Sequence, residues 1–226
     1  MKTWTCAPLL TVVLLLGASI PTTVRADEAS EREYQLKAAF LYNFIMFIDS
    51  PRLAPPDEAD RNAPQARKPI LIGIIGKDPF GAAFEPLKNK EVRDRPVVVK
   101  RFKGLELPVD TDDDEKDVFG DLEAVRQCHV LFICASEQAH LKAVLGPLKG
   151  HSVLTVSDVP GFLEAGGMVN FIIEDKKVRF EINTGPAEQA RLAIRSKLLR
   201  LAQRVIKKDL GEGQTDGGNE PPSGDQ

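Results

Sequence analysis

Two glycine-containing stretches are the places where this sequence could bind a phosphate group. "IIGKDPFG" (74–81) places a glycine between an apolar run and a candidate helix start, the order that directs helix N–H groups at an anion. It lacks the GxxxxGK[ST] and GxGxxG spacings, and Asp78 would put a negative charge where the phosphate should lie. "GFLEAGGMVNF" (161–171) leads into a strand, so Gly166 and Gly167 are expected to supply backbone angles with positive φ. We therefore expect no nucleotide site and no cofactor.

The residue types that carry out hydrolysis or bind metals are present without the necessary spacing. His129, His140 and His151 fall on three different predicted elements, and none belongs to an HExxH pair. The acidic run at 108–117 matches a calcium loop at three positions, but Glu115 stands where that loop needs glycine. No serine lies in a GxSxG motif. The sequence thus predicts a protein that is not an enzyme, with no catalytic residues and no metal site.

Two cysteines, Cys128 and Cys134, lie at the ends of the apolar run "CHVLFIC". If this run is a strand, six steps of about 3.3 Å separate them by roughly 20 Å. A disulfide needs Cα atoms within about 7 Å of each other. We expect two buried, free and unreactive thiols, with an intermolecular bridge as the alternative.

The N-terminus has the order of a secretory signal peptide: Lys2, an apolar run at 7–20, and a small-x-small site ending at Ala26. A membrane anchor would need roughly 20 apolar residues, more than this run supplies. We predict cleavage after Ala26 and a periplasmic protein. Cleavage removes Lys2 and Arg25 and no acidic residue, so the formal charge changes from −3 to −5. This charge disfavours nucleic acid as a partner.

Three stretches lack a core-forming pattern. Residues 50–69 are rich in proline and charge and predict a long exposed connection, and residues 108–117 predict an acidic surface loop. Residues 209–226 predict a disordered C-terminal tail. The remaining length suits one domain, which we place at 27–208 after the signal peptide at 1–26.

Between these stretches, helical and strand patterns alternate. Residues 31–48 carry Leu36, Phe40, Phe44 and Phe47 at helical spacing. Strands are predicted at 70–76, 96–102, 130–134 and 152–158, and further helices at 78–87, 136–148 and 187–208. A late hairpin joins "GGMVNFIIED" to "KVRFEIN" through Asp175 and Lys176. This order predicts a three-layer α/β fold: a mostly parallel sheet of about five or six strands, helices on both faces, and a late antiparallel hairpin.

Several blocks occur in an order that resembles one known family. They are "KAAFLYNFIMFIDSP", "IGIIGKDPFG", "CHVLFICASE", "SVLTVSDVPGFLEAGGMVNFIIEDKKVRFEIN" and "SKLLRLAQRV". Together they resemble the YfiR family of periplasmic proteins from Lys37 to Val205, and the part from Ser157 to Asn183 is the most specific. The resemblance implies an α/β fold, a tendency to form homodimers and no catalytic residues. It also implies a cysteine in the first sheet strand that can bond the counterpart of Cys128. Gly73 stands at that position here, so we expect no disulfide.

The resemblance further implies a repressor that binds the periplasmic sensor region of a membrane diguanylate cyclase (YfiN) and lowers cyclic-di-GMP signalling. An outer-membrane lipoprotein (YfiB) would sequester this repressor and relieve the inhibition. A second hypothesis is a periplasmic sensor that acts on another partner. That sensor would hold an anionic or aromatic metabolite at its sheet edge or in a pocket near Asp158 and Arg179.

Five polar residues in or beside the late strands are the candidate ligand or partner contacts. They are Asp158, Asn170, Arg179, Glu181 and Asn183. The alternation of side chains along a strand puts Arg179, Glu181 and Asn183 on one face. One interpretation is structural, an internal ion pair plus a cap for the final helix. The other is a site for a small ligand or a partner.

Overall fold

The computed structural model describes residues 23–54, 68–105 and 122–207. The predicted acidic loop and C-terminal tail lie outside these ranges, as do residues 1–22 of the predicted signal peptide. The domain boundaries therefore stay predictions. The described helices are α1 (Thr23–Phe47), α2 (Leu122–Arg126), α3 (Leu141–Leu145), α4 (Thr184–Gln189) and α5 (Ser196–Leu199).

The apolar runs of the sequence form the inner strands of an eight-stranded sheet. The strands of the structure are β1 (Ile48–Asp49), β2 (Ile70–Ile75), β3 (Glu91–Val92), β4 (Arg95–Phe102), β5 (Val130–Ile133), β6 (Leu154–Ser157), β7 (Val169–Glu174), β8 (Lys177–Asn183), β9 (Ala193–Ile194) and β10 (Arg204–Ile206). The order in the large sheet is β10-β8-β7-β6-β5-β2-β4-β3. β4, β2, β5, β6 and β7 run parallel, whereas β8 is antiparallel to β7. The predicted α/β class and late hairpin are confirmed.

The strand number exceeds the expected five or six because two short edge strands join the sheet. β3 forms a tight hairpin with β4, and β10 pairs in parallel with β8. A separate two-stranded ladder pairs β1 with β9. None of these short segments has the continuous apolar run that marks the inner strands, so their pairing is set by tertiary contacts.

Each face of the sheet carries its own hydrophobic cluster, which makes the fold three-layered. On one face Phe44 of α1 lies 5.8 Å from Phe171 and 5.3 Å from Phe180, between ring centroids. The opposite face is covered by α2 and α3, whose Val125 and Val144 pack in a second cluster. Alternate residues of the inner strands enter the two clusters, as the pleat of a doubly covered sheet requires.

The first helix confirms its prediction, but its buried stripe is rotated from the expected one. Leu36 is 52% exposed, whereas its neighbour Lys37 is 2% exposed. Phe44 is buried as expected, and Leu41 and Ile48 are buried as well. The rotation is stable because the Lys37 ammonium finds charged partners inside the fold, which makes a buried lysine tolerable.

Two of the shorter predicted helices are mostly turns and 3-10 structure. Residues 78–87 contain only a 3-10 turn at Glu85–Leu87, and Gly81 there has a φ of 49°. Residues 136–148 split into a 3-10 segment at Ala135–His140, α3, and a second 3-10 turn at Gly146–Leu148. Glycine and proline inside each segment interrupt the regular α-helix.

The prediction of one long helix at 187–208 is wrong. α4 ends in a paired terminal motif in which Leu192 N–H donates to Ala187 O (2.9 Å) and Arg191 N–H donates to Glu188 O (3.0 Å). Arg191 occupies the left-handed position of this motif, with φ of 56°. The chain then contributes β9, α5 and β10, because pairing with β1 and β8 outweighs local helix propensity.

The predicted exposed connection at 50–69 is only partly described, and not all of its first residues are exposed. Leu53 is 3% exposed. Arg52 donates from Nη1 to the carbonyl oxygens of Cys128 (2.9 Å) and Ser152 (3.1 Å). A guanidinium has several donors, so it can hydrogen-bond at once to residues that precede two neighbouring strands. The periodicity of the sequence does not predict such contacts. Residues 55–67 lie outside the described ranges.

Cys128 and Cys134 are both buried, as predicted, and they do not bond each other in the structure. Burial raises the pKa of Cys128 to about 11 and that of Cys134 to about 12. Gly73 lies directly against the first of them, since a Cβ built on Gly73 would be 2.8 Å from Cys128 Sγ. The structure therefore places these two positions side by side, with a glycine where the resemblance implied a cysteine.

Candidate functional site

Asp158 directly follows β6, at the carboxyl end of a parallel strand. Crevices at this end of α/β sheets are the usual places for ligands. β7 pairs with β6 only through Val169 and Asn170, so the rest of β7 extends beyond the end of β6. The turn after β6 and the free part of β7 thus form two walls of a cleft.

A buried charge network connects α1 to Asp158. Lys37 Nζ lies 2.6 Å from Asp158 Oδ2 and 2.5 Å from Glu33 Oε1. The Tyr34 hydroxyl donates to the same Asp158 oxygen at 3.0 Å. Burial, followed by the Asp158 charge, raises the pKa of Tyr34, so the phenol stays protonated and able to donate. This network fixes the position of the turn after β6 relative to α1.

Asn170 holds the same turn from the sheet side. It is 7% exposed and lies between Ser157 on β6 and Glu181 on β8. In the amide orientation that gives both its oxygen and its nitrogen suitable partners, the nitrogen donates to the carbonyl oxygens of Ser157 (3.1 Å) and Val159 (3.2 Å). These two bonds satisfy carbonyls that leave the β6 ladder. Asn170 is therefore a positioning residue for the cleft wall.

Glu181 forms an ion pair, but its partner is Arg204 on β10. Arg204 Nε lies 2.7 Å from Glu181 Oε1, and its Nη2 lies 3.0 Å from Oε2. The ion pair is therefore bidentate. The same Nη2 is 3.4 Å from Glu164 Oε1. The hydrogen bonds that Arg204 donates to Glu181, with the Glu181 charge second, raise the pKa of Arg204. Among the described residues Glu181 therefore pairs with Arg204, from the segment that we predicted as helix, and not with Arg179, and the pair is partly exposed instead of internal.

The other two candidate residues lie apart from the cleft. Arg179 is an exposed residue of β8 opposite Ile172. Asn183 caps α4, since its Oδ1 accepts from Gly185 N–H at 3.1 Å and its Nδ2 donates to Leu163 O at 3.2 Å. The predicted cap is confirmed in position, although the helix that it caps is short.

We call the resulting cavity the acidic cleft. Its volume is about 440 Å³. Its lining residues are Glu33, Lys37, Asp158, Pro160, Gly161, Glu164, Asn170, Phe171, Ile172, Ile173, Glu181 and Arg204. Four carboxylates face two cations in this set, so the cleft is negative overall. Ile173 adds an apolar side chain that is 53% exposed.

The structure thus brings Asp158, Asn170 and Glu181 together and adds residues that the sequence analysis missed. Lys37 could have been found, because a lysine inside an apolar helical stripe needs a buried partner. Arg204 could not, because its segment has a helical pattern and its position depends on β10.

The geometry of the cleft suits recognition better than catalysis. Asp158 is neutralised by Lys37, and the neighbouring Ser157 hydroxyl donates to Ile133 O at 2.7 Å. Within the described ranges, no three histidine, cysteine or acidic side chains are placed to share a metal ion. Over the same ranges, no helix has an apolar stretch long enough for a bilayer. A negative cleft with an exposed isoleucine can bind a cationic group that carries an apolar neighbour.

Comparison with known proteins identifies the family. The family model DUF4154, described as YfiR/HmsC-like, matches residues 34–203. The chain belongs to the YfiR/HmsC-like family. This confirms the resemblance noted from the sequence blocks. The match includes Lys37, Asp158, Asn170 and Glu181, and it ends just before Arg204.

One solved structure of low similarity is a conserved domain protein from Vibrio cholerae O1 biovar El Tor strain N16961. It is 11% identical, with a TM-score of 0.44, and the match covers 66% of this chain and 58% of that one. No curated protein matches the chain. The YfiR/HmsC-like family is a regulatory, non-catalytic family, and membership in it indicates a periplasmic regulator of diguanylate cyclase signalling.

Proposed function

We propose that this YfiR/HmsC-like protein represses a membrane-bound diguanylate cyclase by binding its periplasmic sensor region through the acidic cleft. Family membership supports the regulatory role. The observation that supports the cleft as the binding surface is its combination of excess negative charge with the exposed Ile173, on walls held by buried hydrogen bonds. An apolar anchor within a polar rim is the usual composition of a protein–protein contact.

The expected partner segment is basic and carries an apolar side chain. The excess carboxylates of the cleft would steer it to the surface, and Ile173 would contribute the desolvated centre of the contact. Repression requires the protein to bind the inactive conformation of the cyclase more tightly than the active one, because only a difference in affinity shifts the equilibrium.

The first test measures cyclic-di-GMP in a strain that lacks the protein. Deletion should raise the nucleotide level, and expression of the unchanged protein should restore it. Ile173→Ser should restore it poorly, because the apolar anchor is lost while an exposed strand position barely affects stability. Val98→Ser is the matched control, since Val98 is 40% exposed on β4, three strands away from β6.

The two failures have different meanings. Unchanged cyclic-di-GMP in the deletion strain would overturn the repressor role itself. Full restoration by Ile173→Ser would leave the repressor role intact and remove the acidic cleft as its binding surface. A pull-down with the exported chain as bait would then identify the partner, which should be an inner-membrane protein with a diguanylate cyclase domain.

We extend the proposal to two further contacts that the family resemblance implies. An outer-membrane lipoprotein of the YfiB type would relieve repression by competing for the repressor. The protein would also form homodimers. Light scattering of the purified chain, alone and with the lipoprotein, tests both: a monomer mass in each case would contradict them.

A small-molecule sensor that acts on another partner is the second candidate function, but the cleft does not favour its original form. An anionic metabolite near Asp158 and Arg179 would meet four carboxylates and two cations. Arg179 does not line the acidic cleft. An anionic ligand is better accommodated elsewhere in the fold.

A further inference from the structure

A second cavity lies on the face of the sheet that α3 covers. Its volume is about 310 Å³, within the range of small-molecule pockets, which begins near 300 Å³. We call it the α3 cavity. Its lining residues are Lys142, Leu145, Gly146, Leu148, Lys149, Gly150, Thr155, Ala165, Gly166, Met168, Pro186 and Gln189.

The lining of the α3 cavity combines an apolar wall with uncompensated positive charge. Leu145, Leu148 and Met168 are buried and provide the wall. Lys142 and Lys149 are exposed, and no acidic residue is among the lining residues. Within the part of the chain that the structure describes, neither lysine forms an ion pair. This charge pattern is the reverse of that in the acidic cleft.

A buried hydroxyl group at the floor has an unused donor. Thr155 is 2% exposed, and its Oγ1 accepts from Met168 N–H at 3.2 Å. Among the described residues the Thr155 hydroxyl accepts this bond and donates none. A hydroxyl that both donates and accepts can bond a ligand oxygen here, and a buried donor without an acceptor is unfavourable.

Gly146 lines the α3 cavity, and its backbone conformation does not require glycine. Its φ is −53°, in the ordinary right-handed region, and a Cβ built on it would meet nothing within 4 Å. Glycine in a helical conformation costs about 1 kcal/mol relative to alanine. Gly150 and Gly166 differ, because their φ values of 78° and 100° require glycine. Glycine at position 146 therefore relieves no backbone strain, and a larger side chain can be introduced there.

We propose that the α3 cavity binds a small amphipathic carboxylate: one carboxylate on a compact apolar body. The carboxylate interacts with Lys142 and Lys149, and the apolar body packs against Leu145, Leu148 and Met168. A ligand that also carries an oxygen at the far end of its body accepts a hydrogen bond from Thr155. This gives the molecule a binding site that the proposed partner contact does not use.

The test is calorimetric titration of the purified full chain with four probes. 4-Hydroxybenzoate has the charge, the body and the far oxygen; benzoate lacks the far oxygen, benzyl alcohol lacks the charge, and acetate lacks the body. We expect affinity to fall in the order 4-hydroxybenzoate, benzoate, benzyl alcohol, with no measurable binding of acetate. Equal affinity for benzoate and benzyl alcohol, or no binding of any aromatic probe, would overturn the proposal.

Three variants locate the binding. Lys142→Met with Lys149→Met should weaken benzoate binding about tenfold or more, as expected for lost charge-assisted contacts, and leave benzyl alcohol unaffected. Gly146→Leu should weaken both by filling the mouth. Lys177→Met, an exposed lysine of the hairpin, is the matched control and should change neither. Unchanged benzoate binding in the double variant would place the ligand elsewhere and contradict the proposal.

The α3 cavity and the acidic cleft share one turn, the chain between β6 and β7. Asp158 and Glu164 of this turn line the acidic cleft, whereas Ala165 and Met168 line the α3 cavity. A ligand in the cavity therefore contacts the segment that forms a wall of the partner surface. This consequence rests on the proposed function, but the titrations use the protein alone. Their failure would leave the repressor proposal untouched.

Discussion

Removal of the Lys37 ammonium tests whether the buried network holds α1 against the sheet. In Lys37→Met the side chain keeps its length and apolar stem, but Asp158 loses the cation that neutralises it at 2.6 Å. The Lys37 side chain is 3% exposed and that of Asp158 is 11% exposed, so solvent can replace little of the lost interaction. Loss of one partner from a buried ion pair costs about 3–5 kcal/mol. We expect a value near 3 kcal/mol, because the Tyr34 hydroxyl still bonds Asp158.

A double-mutant cycle in urea measures the specific part of this free energy. The cycle compares Lys37→Met, Asp158→Asn and the double variant, and the unfolding midpoints give each free energy of unfolding. We expect a coupling free energy of about 2 kcal/mol, since groups in one buried network are not additive. Lys177→Met controls for the loss of an exposed lysine and should stay within about 0.5 kcal/mol of the wild type. A coupling near zero would refute the structural role of the network.

Three further predictions concern the strand core. Gly73→Ala should lower the free energy of unfolding by about 1–3 kcal/mol, because its Cβ would lie 2.8 Å from Cys128 Sγ; an unchanged urea midpoint would contradict the packing. The Cys128 thiol, with its pKa raised to about 11, should react with a disulfide reagent at pH 8 far more slowly in the folded than in the unfolded protein. Burial, then Arg52 and Arg95, lowers the pKa of His129 to about 4. Its contribution to stability, up to about 3 kcal/mol, is therefore complete above pH 6.5 and is lost as the pH falls toward 4. Urea midpoints of the wild type and His129→Asn should converge over that interval, and parallel profiles would contradict the assignment.

The acidic cleft is negative and the α3 cavity is positive, and this difference bears on regulation. The acidic cleft offers carboxylates and an exposed isoleucine to a partner, whereas the α3 cavity offers lysines to an anion. The turn between β6 and β7 separates them and is held by Asn170 and Asn183. Occupancy of one cavity can therefore be tested for its effect on the other with the same purified protein.

Sequence patterns predicted the inner strands and the late hairpin. The apolar run predicted as a strand at 70–76 forms the inner strand β2, and the hairpin turns at Asp175 and Lys176, with φ values of 49° and 61°. A strand covered on both faces needs apolar residues at nearly every position, so its composition predicts the strand. The Asn183 cap was found for a similar local reason, since its bond to Gly185 spans two residues.

The segment after α4 shows where local patterns mislead. Residues 187–208 have helical periodicity, yet the chain forms β9, α5 and β10. Ile194 lies opposite Ile48 of β1, and Arg204 lies opposite Glu181 of β8. These partners are more than twenty residues away along the chain, so a pattern of neighbouring residues cannot predict the strand pairing.

The sequence by itself determined the α/β class, the inner strands, the burial of the two cysteines and the family, because each depends on composition or order along the chain. The candidate site was determined only in part. Asp158, Asn170 and Glu181 were identifiable as polar residues beside apolar strands, but their shared cleft, the burial of Lys37 and the pairing of Arg204 depended on tertiary structure. The physical reason is that an ion pair or a cavity joins residues distant in sequence. Its contribution to the free energy of folding or binding arises only when folding brings these residues together and removes water.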